Sequence, residues 1–408
     1  MLGGTFAGRL CGVFRTALLA LAVFASVPVQ AKDTARIVAV GDLHGDYSAW
    51  VDVARDARLI DAKGNWIGGS TTLVQLGDIT DRGSDSLKII RSLQLLAKEA
   101  PRSHGKVVVV LGNHEAMNLL GVTRDATPAI YAKFADANSR KRMDSAWADY
   151  ERLRDGLVAK KQPVPGALGA TRDAFDRAHP PGYIEYREAL GPRGTYGKWL
   201  RDKAMVTAVG GTIFTHAGIP PASAPDTLDD LNKQLRDDVK RMDRFVQRLV
   251  DKKLALPFFT LEEVVDVTTT QIASANEAIT RVTESGDRRA SSQLDLPFLN
   301  EAEDIAMVNT WLGLDGDGAM WWRGLADDPD DPTGGPLLPL LQRFKAARFV
   351  VGHTPTASKR IVVRYGGRAV LIDTGMNRRA YNGNPAALEI VGDRLTAIYL
   401  DRRDVLTP

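Results

Sequence analysis

Three short clusters in this chain are dense in side chains that can bind cations or move protons. They are Gly41-Asp42-Leu43-His44-Gly45-Asp46, Gly77-Asp78-Ile79-Thr80-Asp81-Arg82-Gly83 and Gly112-Asn113-His114-Glu115. Two further histidines stand in similar settings: His216 before Ala217-Gly218, and His353 within Gly352-His353-Thr354-Pro355. The chain has six histidines, and four of them close short apolar runs, which a random scatter would not produce. Asp42, His44, Asp78, Asn113, His216 and His353 form a mixed oxygen and nitrogen set without sulfur. Such a set suits manganese, iron or zinc rather than calcium or magnesium. Six protein ligands are too many for one ion. With one ligand shared, they suit two ions ~3.5–4 Å apart, the spacing of two-metal hydrolases.

The elements that must bring these residues together are short β-branched runs. Runs at 37–40, 71–76 and 107–111 each end in one of the three clusters, with helical periodicity at 47–60 and 85–99 between them. This strand–helix–strand–helix–strand pattern predicts a largely parallel sheet with helices on both faces. Side chains at the carboxyl ends of such strands share one crevice. The later half reads as antiparallel. Runs at 205–209 and 212–215 flank Gly210-Gly211, those at 361–364 and 369–372 flank Gly366-Gly367, and those at 388–391 and 395–400 flank Gly392-Asp393. With the run at 348–351 they predict a second sheet packed on the first. Two long stretches, at about 118–200 and 220–318, interrupt the scheme. They read as largely helical insertions, and either a cap over the site or surface elaboration accounts for them.

In their order and spacing these motifs resemble the calcineurin-like metallophosphoesterases, whose pattern is D-x-H, G-D-x-x-D-R-G, G-N-H-E, a later H and G-H-x-x. The D-R-G and N-H-E forms resemble the phosphoprotein phosphatase branch. Met320-Trp321-Trp322-Arg323-Gly324 and Asp373-Thr374-Gly375-Met376 look most like its bacterial Shewanella-like phosphatases. The likeness covers about 36–120 and 204–400. It implies an α/β two-sheet sandwich flanked by helices, occupying 32–408. It also implies that Asp42 and His44 hold one metal, Asp78 bridges, and Asn113, His216 and His353 hold the second. A hydroxide bridging the two metals would attack phosphorus. His114 would then be the general acid, oriented by Asp81. Arg82 and Arg323, with Asn113, would bind the phosphate, since a guanidinium fork matches its oxygens. Tyr381 is placed at the substrate rim.

Other polar residues have plainer readings. Asp46 suits a helix N-cap. Glu115 supports the Asn113-His114 turn, and His104 and His179 read as loop histidines. Asp315-Gly316-Asp317-Gly318 lacks the remaining ligands of a calcium loop and reads as a turn. Met320-Trp321-Trp322 reads as packing that fixes Arg323, and the charged helix near 228–253 as a solvated one.

The composition is that of a globular chain, with 44% hydrophobic and 25% charged residues. A net charge of +3 is too small to argue for a nucleic acid polymer as partner. Residues 1–31 carry Arg9 and Arg15, an apolar run at 17–27, and small side chains ending at Ala31, the pattern of a cleavable secretory signal. The run falls short of the ~20 residues that span a bilayer, so no stable membrane anchor is expected after cleavage. An exported location follows, periplasmic or secreted. The single cysteine, Cys11, would leave with the signal. The resulting expectation is a phosphomonoesterase, with phosphorylated protein or a small phosphate ester as substrate. A nucleotide or dinucleoside polyphosphate hydrolase is the alternative, kept open by Arg378 and Arg379. A metal-containing binding protein without catalysis would not need the Asp81–His114 pair.

Overall fold

The β-branched runs form strands, and their pairing sets where each cluster ends up. The structure is a computed structural model that describes residues 35–286 and 294–407, together with Met1 and Gly3. Apart from those two residues, the expected leader lies outside the described residues. In chain order the first strands and helices are β1 (Arg36–Val40), α1 (Tyr47–Asp56), β2 (Thr72–Gln75), α2 (Ser86–Glu99), β3 (Lys106–Val109) and α3 (Asn113–Leu120). The first insertion supplies α4 (Pro128–Tyr131), α5 (Ser139–Ala159), α6 (Arg172–Ala178), α7 (Tyr183–Leu190) and α8 (Thr195–Arg201). Strands β4 (Val206–Val209) and β5 (Thr212–Thr215) follow. The second insertion then carries α9 (Leu228–Asp251), α10 (Leu261–Ser285) and a helix at Leu296–Ala306. The chain closes with β6 (Arg348–Val351), β7 (Val362–Arg364), β8 (Ala369–Leu371), β9 (Ala386–Val391), β10 (Arg394–Tyr399) and β11 (Arg403–Leu406).

The strands build two mixed sheets. The first has the order β11-β10-β9-β1-β2-β3, the second β4-β5-β6-β8-β7. The β1-β2-β3 core is parallel. The β9-β10 hairpin, expected in the second sheet, instead pairs antiparallel with β1, from Arg36 opposite Val391 to Val40 opposite Ala387. The second sheet is also less antiparallel than its hairpins suggest. Strands β5, β6 and β8 run parallel, and only the edge strands β4 and β7 oppose them.

The pleat explains the layers. Val38, Val40 and Leu73 face Ile89, Ile90 and Leu93 of α2 and Trp50 and Val53 of α1. Ile37, Ala39 and Val74 point the other way and meet Phe214, Val350 and Val370 of the second sheet. Helices therefore cover one face of the first sheet, and the second sheet covers the other. The outer face of the second sheet, with Ile213, Phe349, Val351 and Leu371, shares one core with the insertion helices. Helix α9 is not the solvated helix that its charge suggests. Leu231, Leu235, Val239, Met242, Phe245 and Leu249 recur every three or four residues and are all buried. No described helix is long and apolar enough to cross a membrane.

Candidate active site

The parallel strands β1, β2, β5, β6 and β8 all deliver their carboxyl ends to one crevice. Asp42, His44, Asp78, Asn113, His216 and His353 meet there, each at most 6% exposed. The turns that aim them are tight. A Cβ at Gly112 would fall on Asp78 Oδ1, and one at Gly352 on Asp42 Oδ1, so both positions need glycine. His44, Asp78, Asp81, Arg82 and His353 all have φ between 42° and 68°. For non-glycine residues this left-handed backbone is strained, and it clusters where a site over-determines the chain.

Three histidines are oriented in the same way. His44 Nδ1 lies 3.2 Å from Thr80 O, His216 Nδ1 2.8 Å from Leu76 O, and His353 Nε2 3.0 Å from Trp321 O. A carbonyl only accepts, so each of these nitrogens carries the proton. The opposite nitrogens point inward. His216 Nε2 is 3.3 Å and His44 Nε2 3.5 Å from Asp78 Oδ2. Asn113 Oδ1 is 2.8 Å from His216 Nε2 and 3.0 Å from His353 Nδ1, and those two nitrogens are 3.1 Å apart. Asp42 accepts from the His353 backbone N–H at 3.1 Å.

The electrostatics follow from burial. Burial lowers the His44 pKa to about 3, and burial with the neighbouring His216 lowers that of His353 to about 2, so both stay neutral. Burial opposes charge on His216 too, but Asp78 and Asp42 outweigh it and hold its pKa up at about 10. Burial and Asp373 push the Asp42 carboxyl well above its ordinary range. These are the features of a cation site. Histidine ligands commonly donate their second N–H to a carbonyl or carboxylate, and a cation compensates buried carboxylates. Donor atoms ~2.0–2.2 Å from one ion stand about 3–3.5 Å apart, as the inward-facing atoms do here.

His114 is the ambiguous neighbour. By distance it groups with His44 and Asp78, whereas Asp78 groups separately with His216 and His353. Its Nε2 is 3.8 Å from Asp78 Oδ2, longer than a shared-ion edge, and its Nδ1 meets Asp81 Oδ2 at 2.8 Å rather than a carbonyl. Burial works against its charged form, but Asp78 and Asp81 outweigh that and raise its pKa. His114 thus pairs with Asp81 where the other three histidines face carbonyls, and the buried Asp42 carboxylate meets the His353 backbone in the same crevice.

The expected phosphate-binding residues line the same crevice. Arg82 is exposed; its Nη2 stands 3.3 Å from His114 Nε2, and its Nη1 donates to the Tyr381 hydroxyl. That hydroxyl is 3.3 Å from His44 Nε2, which brings Tyr381 closer to the centre than a rim residue. Arg323, also exposed, donates to His353 O at 3.1 Å and to Thr354 Oγ1 at 3.0 Å. Trp321 stands edge-on to His353, ring centres 5.8 Å apart. Arg378 and Arg379 are exposed on the four-residue helix Arg378–Tyr381.

The plainer readings divide. Asp46 caps α1, accepting from the Ala49 N–H. Asp315 closes a turn on Asp317. Glu115 does more than support its own turn. Its carboxylate accepts from the backbone N–H of Asp78, Ile79, Thr80 and Gly112 and from the Thr80 hydroxyl. His179 follows α6 in a loop, as expected, but it is buried, only 2% exposed and packed on Phe175 and Tyr183. The sequence assigns no role to Asn377 and names Asp373 only within a motif. Asp373 is buried and influences Asp42, and Asn377 Nδ2 donates to His44 O at 2.7 Å. The signal for Asp373 was available, because it closes an apolar run as Asp42 and Asp78 do.

Comparison with known proteins agrees with this geometry. The calcineurin-like phosphoesterase family matches residues 35–258. Shewanella-like protein phosphatase 2 of Arabidopsis thaliana is 34% identical over 213 residues, 49% of this chain and 51% of that protein, so the chain spans about half its length. Shewanella-like protein phosphatase 1 of Plasmodium berghei is 28% identical over 87% of this chain and 70% of that protein. The crystal structure of a cold-active protein-tyrosine phosphatase of a psychrophilic Shewanella sp. superposes with a TM-score of 0.51 at 20% identity, covering 91% of this chain and 80% of that one, a likeness of fold. By its sheets, its buried histidine–carboxylate cluster and its matched sequence, the chain belongs to the calcineurin-like phosphoesterase family.

Proposed function

We propose that this protein is a dinuclear-metal phosphomonoesterase that removes phosphate from phosphorylated proteins. The observation that carries the reading is the inward orientation of His44, His216 and His353 around Asp78 and Asn113, with the His114–Asp81 pair beside them. Asp42 and His44 would hold one ion and Asn113, His216 and His353 the other, with Asp78 shared. When bound, two such ions activate water and neutralise phosphate charge. Manganese, iron and zinc all accept these ligands.

The chain's own groups do the rest. Arg82, beside His114, and Arg323, beside His353, orient the phosphate oxygens through charge-assisted hydrogen bonds. Asp81 keeps the His114 Nδ1 proton in place, so Nε2 is the atom that hands a proton to the leaving oxygen. Phosphoprotein as substrate is supported by the protein-phosphatase names of the relatives. The test is phosphate release from phosphoserine and phosphotyrosine peptides beside a dinucleoside tetraphosphate. Efficient turnover of the tetraphosphate alone would refute the protein-phosphatase reading. We also propose export, which rests on the leader-like residues 1–31. Recovery of the protein in the cytoplasmic fraction with Met1 intact would overturn it.

A further inference from the structure

Helix α7 of the first insertion reaches the reaction centre through one buried amide. Asn118, near the end of α3, donates from Nδ2 to Asp81 Oδ2 at 3.0 Å and to His114 O at 2.9 Å. Its Oδ1 accepts from the Tyr186 hydroxyl. The polarity is forced. A carboxylate and a carbonyl only accept, so the amide nitrogen must face them. The amide oxygen then faces Tyr186, whose hydroxyl must donate. All four side chains are buried, none more than 3% exposed. Tyr186 is itself braced edge-on by Tyr131 and Phe134 from the same insertion, with ring centres 5.2 and 5.1 Å away.

Asp81 depends on this amide. Its Oδ1 is buried with no hydrogen-bond partner, so both side-chain contacts, to His114 and to Asn118, fall on Oδ2. An ion pair fixed through one oxygen can rotate about the carboxyl axis, and among the described residues Asn118 supplies the second side-chain hydrogen bond that opposes that. We infer that Asn118 and Tyr186 are positioning residues for His114: Tyr186 locks the Asn118 amide, the amide locks Asp81, and Asp81 aims His114 Nε2 at the leaving oxygen. The inference rests on the proposed phosphatase reaction and assigns the first insertion a part in it. Outer partners of this kind commonly matter by about 10- to 100-fold.

Tyr186→Phe removes one oxygen and keeps the ring packing. The measurement is kcat and KM for an alkyl phosphate, which needs a proton on departure, and for p-nitrophenyl phosphate, which does not. The expected result is a fall in kcat of about 10-fold for the alkyl ester, with KM, metal content and p-nitrophenyl phosphate turnover nearly unchanged. In a His114→Asn background the same substitution should have no further effect, because residues acting through one another are not additive. Asn118→Ala should reproduce the leaving-group dependence. A second readout is the nitrogen NMR spectrum of histidine-labelled, zinc-loaded protein. There Tyr186→Phe should move the His114 Nδ1 signal and leave His216 and His353 in place. Equal slowing of both esters, or full additivity with His114→Asn, would overturn the inference alone. Wild-type protein that hydrolyses neither ester would overturn the phosphatase reading with it.

Discussion

Replacing His114 by asparagine separates its two conceivable jobs. If it is the proton donor, both ions stay. If it is a ligand, one leaves. The geometry favours the first, since His114 Nε2 is 3.8 Å from the Asp78 oxygen that His44 and His216 approach to 3.5 and 3.3 Å. Asparagine retains a polar group of similar reach but cannot cycle a proton near neutral pH. Removing a general acid costs ~10²–10⁴ in rate, which is about 2.7–5.5 kcal/mol of barrier. That loss should appear with a phosphoserine peptide, whose alkoxide is a poor leaving group. It should nearly vanish with p-nitrophenyl phosphate, whose anion departs unaided. The assay is kcat for both esters alongside metals counted per chain by mass spectrometry. Loss of one ion per chain would refute the separation of His114 from the ligands and put Asp42 in doubt. A uniform loss for both esters would refute the acid role even with both ions bound.

Three further outcomes are expected. Asp78→Asn weakens the one oxygen that approaches both histidine groups, so both ions should be lost; two ions per chain in the variant would rule out the shared role. Glu115→Gln puts an amide NH₂ against buried N–H donors and should destabilise the fold by about 3 kcal/mol or more, read from the urea midpoint. An unchanged midpoint would show that the Glu115 carboxylate does not hold the β2 and α3 turns together. Arg323→Ala should raise KM for phosphate esters about 10-fold, roughly 1.4 kcal/mol, with metal content intact. An unchanged KM would remove Arg323 from phosphate binding.

The site was legible because its residues announce themselves locally. Asp42, Asp78, Asn113, His216 and His353 each follow a short apolar run, and a parallel sheet brings such ends together whatever lies between them. What failed to show was set by distant partners. Nothing near 388–400 reveals that β9 will pair with Arg36 to Val40 rather than with its nearer neighbours. The charges of α9 mask a regular apolar stripe, because they outnumber the six buried apolar residues that recur every three or four positions. Asn118 and Tyr186 are ordinary residues in ordinary helices. Their meaning lies in a contact across the fold, which neither flanking sequence encodes. The part Glu115 plays is legible only in part for the same reason, since four of its five donors belong to the loop after β2.

The insertion helices have a consequence for how this chain can change. Ile213, Phe349, Val351 and Leu371 are sheltered by side chains of the insertion helices. Trimming the insertion helices at 128–201 and 228–306 would leave those four residues, and the face they belong to, in water, an aggregation-prone surface. The insertions therefore cannot drift or be swapped as freely as exposed loops. A substitution at Val239 or Met242 has to satisfy the same packing as one at Phe349. Whatever specificity they have acquired has evolved under the constraint of keeping the catalytic scaffold folded.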